Sequence, residues 1–138
     1  MELLTDCDCY RERLRTIKAL GLPGIKIHPD YQGVMIDEIH PERLIVAHLG
    51  GWKQWEQVYD HLAGENVWFD TAFSLEYISK ELFMRLWEKH DHDKFLFATD
   101  SPWGNEEKNI ARINQLPLSE KEKEMIFGGN AKKILKLT

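Results

Sequence analysis

Four side chains that are able to do acid–base or metal chemistry each close a short apolar run of the sequence. They are His28, His48, Asp70 and Asp100. Imidazole and carboxylate groups are the ligands that hold a borderline divalent metal and activate a bound water. A carboxylate can orient or deprotonate that water, and an imidazole can bind the metal or polarise the substrate. Any one of these residues alone could serve only to cap a turn or hold a loop, but the repetition favours a functional site.

These residues need structural elements that bring them to one place. The apolar runs predict four short strands, over residues 24–29, 43–48, 66–70 and 95–100. Helical periods separate the later strands, and strands that alternate with helices predict parallel βα units with right-handed crossovers. Because parallel strands end on the same side of a sheet, we expect the four polar residues at one rim.

The first predicted strand carries polar side chains on one of its faces. Ile25 and Ile27 share one face, whereas Lys26 and His28 share the other. The polar face is therefore either open to solvent or part of the lining of a polar cavity.

Apolar residues at helical spacing predict the helices of the chain. They cover residues 10–20, 52–62, 79–87, 105–114 and 119–127, with a final helix that Asn130 caps. The glycine pair 128–129 is expected to end the helix over 119–127, and Ser119 and Glu122 are expected to form a capping box at its start. Ile110 and Ile113 are expected to form the buried face of the helix over 105–114.

The composition is that of an ordinary acidic globular chain. Its 138 residues suffice for one domain, 1–138, and its net charge of -5 indicates no surface for nucleic acid or membranes. No segment is apolar for long enough to span a bilayer, and a signal-peptide core is absent, so the cytoplasm is the expected location. Cys7 and Cys9 are interpreted as reduced thiols, and His90 and His92 as members of a solvated, charged turn.

Five segments of the sequence occur in an order that is typical of one group of enzymes. They are residues 24–29 (GIKIHP), 45–51 (IVAHLGG), 67–71 (VWFDT), 97–103 (FATDSPW) and 128–131 (GGNA). Together they resemble the amidohydrolase superfamily, and most closely its "amidohydrolase 2" branch, which also contains non-oxidative decarboxylases. The resemblance implies a (β/α)8 barrel with a metal site at the carboxyl ends of its strands, with residues 45–48 in strand six and 95–100 in strand eight.

The resemblance also implies roles for individual residues. Asp100 would be a metal ligand and the proton-transfer residue, and His48 would contact the metal or the substrate. The implied cofactor is a divalent metal, with zinc expected first and manganese or iron as alternatives. His28, Trp52 and Trp103 are the predicted substrate-binding residues for a small molecule. Both tryptophans follow a motif, and each either walls a pocket or packs on the neighbouring helix.

The chain departs from the family pattern in what it lacks. No His-x-His pair precedes residue 24, and residues 29–42 are too few for a fifth strand with flanking helices. We therefore predict an α/β fold that is a partial TIM barrel, with about four parallel strands alternating with helices and an apparent internal deletion. The uncovered sheet edges of such a fold predict self-association into a homo-oligomer.

Three functions are compatible with these residues. The first is a metal-dependent hydrolase of an amide, ester or lactone, in which Asp100 takes the proton of an activated water. The second is a non-oxidative decarboxylase of a small carboxylic acid on the same fold. The third, suggested by the missing metal ligands, is a non-catalytic truncated remnant or an assembly module.

Overall fold

The described part of the chain contains one parallel sheet. The structure is a computed structural model, and it describes residues 12, 15, 16, 19–21, 25–28 and 43–137. Its four strands are β1 (Ile25–Ile27), β2 (Leu44–Val46), β3 (Trp68–Asp70) and β4 (Phe95–Leu96). All three strand pairs are parallel, and the strand order follows the chain. The predicted α/β architecture with four parallel strands is confirmed.

One row of apolar residues crosses the sheet and forms the centre of the core. Ile27 pairs with Val46, Val46 with Phe69, and Phe69 with Phe95. All four side chains are buried, and burying each contributes about 1.5–3 kcal/mol. This register brings the carboxyl ends of the first three strands to the same level, so the residues that follow them are neighbours.

Helices follow each of the last three strands. They are α1 (Trp55–His61), α2 (Lys80–Lys89), α3 (Glu106–Asn114), α4 (Glu120–Glu124) and α5 (Asn130–Leu135), with short 3₁₀ turns at His48–Gly50 and His92–Lys94. Ser79 caps α2 by accepting a hydrogen bond from the Leu82 N–H. The predicted capping box of Ser119 and Glu122 is present at the start of α4. No described helix is both long enough and apolar enough to cross a membrane.

Several predicted boundaries were wrong. Helix α1 begins at Trp55, so Trp52 lies in the loop before it, where two glycines and a left-handed Lys53 (φ 58°) interrupt any helix. Strand β4 ends at Leu96, four residues before Asp100. In α3, Ile113 is fully buried, but Ile110 is 36% exposed because it lies at the edge of the buried face.

The end of the chain also differs from the prediction. The glycines at 128 and 129 do not end the helix, because the chain continues through a π-helical turn, Met125–Gly129, directly into α5. Asn130 has helical φ and ψ angles and is not a cap. Its Nδ2 instead donates to the carbonyls of His92 (3.0 Å) and Phe95 (2.9 Å), which fastens α5 to the start of β4.

His90 is buried, which contradicts its prediction as a solvated residue. Its Nδ1 accepts a hydrogen bond from the Gly64 N–H (2.9 Å), and its Nε2 lies 3.0 Å from the Val67 carbonyl. Its ring stacks on Phe69 with 4.3 Å between centroids. Burial is the main reason that the pKa of His90 falls below its ordinary value. His92, by contrast, is exposed as predicted and stacks on Trp87.

Part of the N-terminal prediction lies outside the described residues. Residues 12, 15, 16 and 19 are helical, and Gly21 has a φ of 69°, as expected of a glycine that follows a helix. Leu20 is 69% exposed. The predictions for Cys7 and Cys9 lie outside the described residues.

Candidate functional site

Asp70 joins the carboxyl ends of three strands. Its carboxylate is buried at the end of β3, where Oδ1 accepts hydrogen bonds from the N–H groups of His48 (3.1 Å) and Ala72 (3.0 Å). The other oxygen, Oδ2, lies 2.6 Å from Lys26 Nζ on β1. A buried carboxylate is costly unless donors compensate it, and here two backbone donors and one ammonium group do so. Asp70 therefore fixes the geometry of the rim.

His48 is held in one tautomer. Its Nδ1 lies 2.6 Å from the Ala72 carbonyl; since a carbonyl can only accept, Nδ1 carries the hydrogen and donates. In the neutral ring, Nε2 then keeps its lone pair, which is the form that binds a metal or accepts a proton. The His48 carbonyl also accepts a hydrogen bond from Trp55 Nε1 (3.0 Å), which anchors the turn to α1.

The polar face of β1 belongs to this rim. Lys26 reaches Asp70, and the His28 ring meets the His48 ring edge-on, with 4.3 Å between centroids. His28 is partly buried, and the Lys26 side chain is 53% exposed. Of the two interpretations of this face, the lining of a polar site agrees better with these contacts than open solvent does.

Asp100 and Trp103 lie on an exposed turn after β4. The Asp100 carbonyl accepts hydrogen bonds from the N–H groups of Trp103 (3.0 Å) and Gly104 (3.1 Å), and Trp103 is 75% exposed. A Cβ atom at Gly104 would lie 1.6 Å from the Thr99 carbonyl oxygen, so this turn requires glycine. No hydrogen bond or ion pair joins the Asp100 side chain to His48 within the described residues.

Thr71 attaches the segment before Asp100 to β3. Its hydroxyl donates to the Ala98 carbonyl and accepts from the Ala98 N–H, both at 2.9 Å. The chain from β4 to Asp100 therefore stays beside β3 even though the strand ladder ends at Leu96. This places Asp100 on the loop that follows the fourth strand end, on the same side as His48 and Asp70.

Backbone strain is concentrated at this edge of the sheet. Six described residues other than glycine have a positive φ, namely His48, Leu49, Lys53, Phe73, Asp100 and Lys136. All but Lys136 lie in the loops that follow β2, β3 and β4. Such conformations cost about 1–3 kcal/mol each and cluster at functional sites, so their distribution supports a site at the carboxyl rim.

Trp52 belongs to an aromatic cluster between two of these loops. Its ring stacks on Phe73 (centroids 5.8 Å apart) and meets Tyr77 edge-on (5.9 Å). Lys53 Nζ lies 4.4 Å from the centroid of Trp52 and 5.4 Å from that of Tyr77. Trp52 therefore packs on the loop after β3, and whether it contacts substrate stays a prediction.

The described residues do not by themselves fit a complete metal site. They contain no group of three or more His, Cys, Asp or Glu side chains arranged around one point. His48 offers one nitrogen in the suitable tautomer, and Asp100 offers an exposed carboxylate. Since catalytic metals usually have at least three protein ligands, further ligands would have to come from elsewhere.

Sequence reasoning missed some residues of the rim. The sequence marks Asp70 as a strand-end residue but gives it no individual role. A carboxylate beside two strand-end histidines is a signal that it orients one of them. Lys53, Phe73 and Tyr77 carry no signal of their own, because their proximity depends on how two loops fold together.

The described residues define an α/β protein with a four-stranded parallel sheet and polar residues at the carboxyl ends of its strands. A family model described as "Amidohydrolase" matches residues 36–137, and the chain belongs to this family. No curated protein matches the chain significantly.

Solved structures of similar fold include decarboxylases. 2,6-Dihydroxybenzoate decarboxylase from Rhizobium has a TM-score of 0.56 and 18% identity over 69% of this chain and 35% of its own. Dihydroxybenzoic acid decarboxylase from Polaromonas sp. JS666, with bound manganese and the inhibitor 2-nitroresorcinol, has a TM-score of 0.54 and 20% identity over 69% and 34%. A Staphylococcus aureus protein provisionally assigned as an amidohydrolase has a TM-score of 0.54 and 23% identity over 69% and 35%.

These likenesses show the fold. The neighbours are TIM-barrel amidohydrolases, and the chain spans about a third of the length of the solved structures that it matches. The predicted partial barrel is thereby confirmed as a fold class.

Proposed function

We propose that the chain provides part of the active site of a metal-dependent enzyme of the amidohydrolase family. The observation that carries this proposal is the network of Asp70, Lys26 and Ala72 around His48. It holds an imidazole at a strand end in one tautomer, with its second nitrogen available for chemistry. His90, whose role is structural, instead uses both of its ring nitrogens in hydrogen bonds.

Each residue has a distinct role in the proposal. His48 Nε2 binds the metal or polarises the substrate, and Asp100 transfers a proton. His28 and Trp103 are the proposed substrate contacts. The metal, when bound, supplies Lewis acidity, and ligands from beyond the described residues complete its site.

Two reactions are candidates for this site. Non-oxidative decarboxylation of a small aromatic acid is supported by the decarboxylases among the structural neighbours. Hydrolysis of an amide, ester or lactone is supported by the family description. Decarboxylation is the first candidate because it is the activity named for most of the similar structures described above.

The metal is tested first, by elemental analysis and by thermal shift. Zinc is the metal expected first from the sequence. The manganese bound in two structural neighbours supports manganese as the alternative. The proposal predicts stoichiometric binding of one of these metals, or of iron, and weaker binding after Asp100→Asn. No bound metal and no thermal shift with any of them would instead favour a non-catalytic remnant.

The reaction is tested on a small substrate panel. Carbon dioxide release from hydroxybenzoates is compared with hydrolysis of aryl amides and lactones, for the wild type and for Asp100→Asn. Release of carbon dioxide that Asp100→Asn abolishes supports the decarboxylase, whereas hydrolysis alone supports the second candidate.

Self-association is proposed to use the edge of β1. The opposite edge is covered, because the Phe97 N–H donates to the Ile126 carbonyl (3.0 Å) and Asn130 Nδ2 donates to the Phe95 carbonyl (2.9 Å). Exposed strand edges invite pairing with another chain, and among the described strands β1 has a neighbour only on the side of β2. Sedimentation velocity at tens of micromolar tests this, and a single monomeric species would contradict it.

A further inference from the structure

The loop after β2 presents a lysine ammonium group at the rim in an unusual setting. Lys53 Nζ lies over two aromatic rings, 4.4 Å from the centroid of Trp52 and 5.4 Å from that of Tyr77. Both distances are within the range of a cation–π interaction. Among the described residues, Lys53 has no carboxylate partner, so the ring faces orient the ammonium group without neutralising it.

The backbone around this lysine is fixed in an unfavourable conformation. Lys53 has a φ of 58° and Phe73, which stacks on Trp52, has a φ of 49°. Neither is a glycine, and left-handed residues of this kind tend to lie where a site needs a particular side-chain direction. The rings of Trp52, Phe73 and Tyr77 thus pack together where two strained loops meet.

The aromatic cluster is attached to the candidate active site at two points. Ala72, next to Phe73, accepts the hydrogen bond that sets the His48 tautomer. Glu76, next to Tyr77, accepts a hydrogen bond from the Asn105 N–H (3.2 Å) on the loop that carries Asp100. The loop that carries Phe73 and Tyr77 is therefore hydrogen-bonded both to His48 and to the loop of Asp100.

The geometry points to Lys53 as the residue that selects a carboxylate on an aromatic substrate, with Tyr77 as the ring against which that substrate packs. Tyr77 is 46% exposed, so part of its ring is available to a planar ligand. An ammonium group beside an open aromatic face suits a molecule that combines an anion with a ring. This inference rests on the proposed function, since it names the residues that would recognise the carboxylate and the ring of the aromatic acid proposed there.

A matched lysine elsewhere in the chain provides a control. Lys89, at the end of α2, also lies over an aromatic ring, with its Nζ 4.5 Å from the centroid of Tyr59. Its ammonium group donates to the Tyr59 carbonyl, and the residue is far along the helix from the rim. Lys89→Met therefore removes an exposed lysine from an aromatic ring without changing the proposed binding site.

The experiment measures binding without metal and without turnover. Benzoate and its neutral analogue benzamide are titrated into the 15N-labelled full chain, and the indole N–H signal of Trp52 is followed by NMR. The wild-type chain is expected to bind benzoate more tightly than benzamide. Lys53→Met is expected to weaken benzoate binding about two- to fivefold, the range for an exposed ion pair, and to leave benzamide binding unchanged. Lys53→Arg is expected to retain the preference, and Lys89→Met to match the wild type.

Other outcomes would overturn the inference. They are an absence of benzoate binding to the wild type, shifts that leave the Trp52 indole unchanged, or equal losses of affinity in Lys53→Met and Lys89→Met. Raising the salt concentration should reduce the benzoate preference, because the charged pair is screened; a salt-independent preference would also contradict it. The titration measures no catalysis. A negative titration would therefore not affect the metal and turnover tests, and negative metal and turnover tests would not affect the titration.

Discussion

Two buried histidines, one at each end of the sheet, show how a structural residue differs from one that is available for chemistry. At the amino-terminal end, His90 uses both ring nitrogens, one accepting from Gly64 and one bonded to Val67. At the carboxyl end, His48 uses Nδ1 alone, bonded to Ala72, and no hydrogen-bond partner is described for its Nε2. Both residues are buried to a similar degree, so burial does not separate them. The two histidines differ in whether the second ring nitrogen makes a hydrogen bond.

The largest effect is expected from His48→Asn. The asparagine amide can still donate to the Ala72 carbonyl, but it has no group in the position of Nε2. We expect activity to fall about a hundredfold or more, as for loss of an acid–base group, with little change in the free energy of unfolding. Steady-state kinetics and urea unfolding check both parts. Full activity in this variant would show that Nε2 has no chemical role.

His90→Ala should have the opposite profile. The substitution leaves the Gly64 N–H and the Val67 carbonyl without their partner and opens a cavity beside Phe69. We expect the free energy of unfolding to fall by about 2–4 kcal/mol, with metal binding unchanged in the folded fraction. Urea unfolding measures the loss, and His61→Ala, on the exposed face of α1, serves as the control with almost no effect.

Asp70→Asn tests the residue that restrains His48. The amide oxygen can keep both backbone hydrogen bonds, whereas the ion pair with Lys26 is lost. Since the Lys26 side chain is about half exposed, we expect a loss of only about 1 kcal/mol. Glu56→Gln, which breaks the exposed ion pair with Arg85, is the control and should cost less. An equal cost for both would mean that burial of Asp70 adds nothing.

The smallest effect is a pH dependence of stability that comes from His90. Burial lowers the pKa of His90 in the folded protein below 6.5, its ordinary value. The unfolded chain then binds more protons than the folded one between the two pKa values, so stability rises with pH there. The contribution is fully present above about pH 6.5 and is lost as the pH falls towards the folded pKa. Urea unfolding from pH 7.5 downwards should show this slope in the wild type and a shallower one in His90→Gln.

The sequence predicts the parts of the rim that depend on strand ends. His48 lies just after β2 and Asp70 ends β3, and parallel pairing of these strands brings the two residues together. The capping box at Ser119 is predictable for the same reason, since all its contacts lie within one turn.

Contacts that depend on packing between loops could not be predicted in this way. His90 lies among charged residues in the sequence, and only the fold brings the Gly64 N–H and the Phe69 ring against it. Asn130 follows two glycines, which normally end a helix, but here a π-helical turn precedes it and its amide donates to the Phe95 carbonyl of β4. In both cases a polar side chain satisfies backbone groups that are distant in sequence, and local patterns do not contain that information.

If the chain self-associates as proposed, the covered edge of β4 would limit how many copies can join. If both edges of the sheet were open, each added copy would offer a new edge, and strand pairing would continue into a filament. Ile126 and Asn130 occupy outer backbone groups of this edge, so the proposed pairing through β1 would use the same edge on both partners and would stop at two. In the proposed assembly, the Ile126 carbonyl and the Asn130 amide would together favour a closed dimer over open-ended polymerisation.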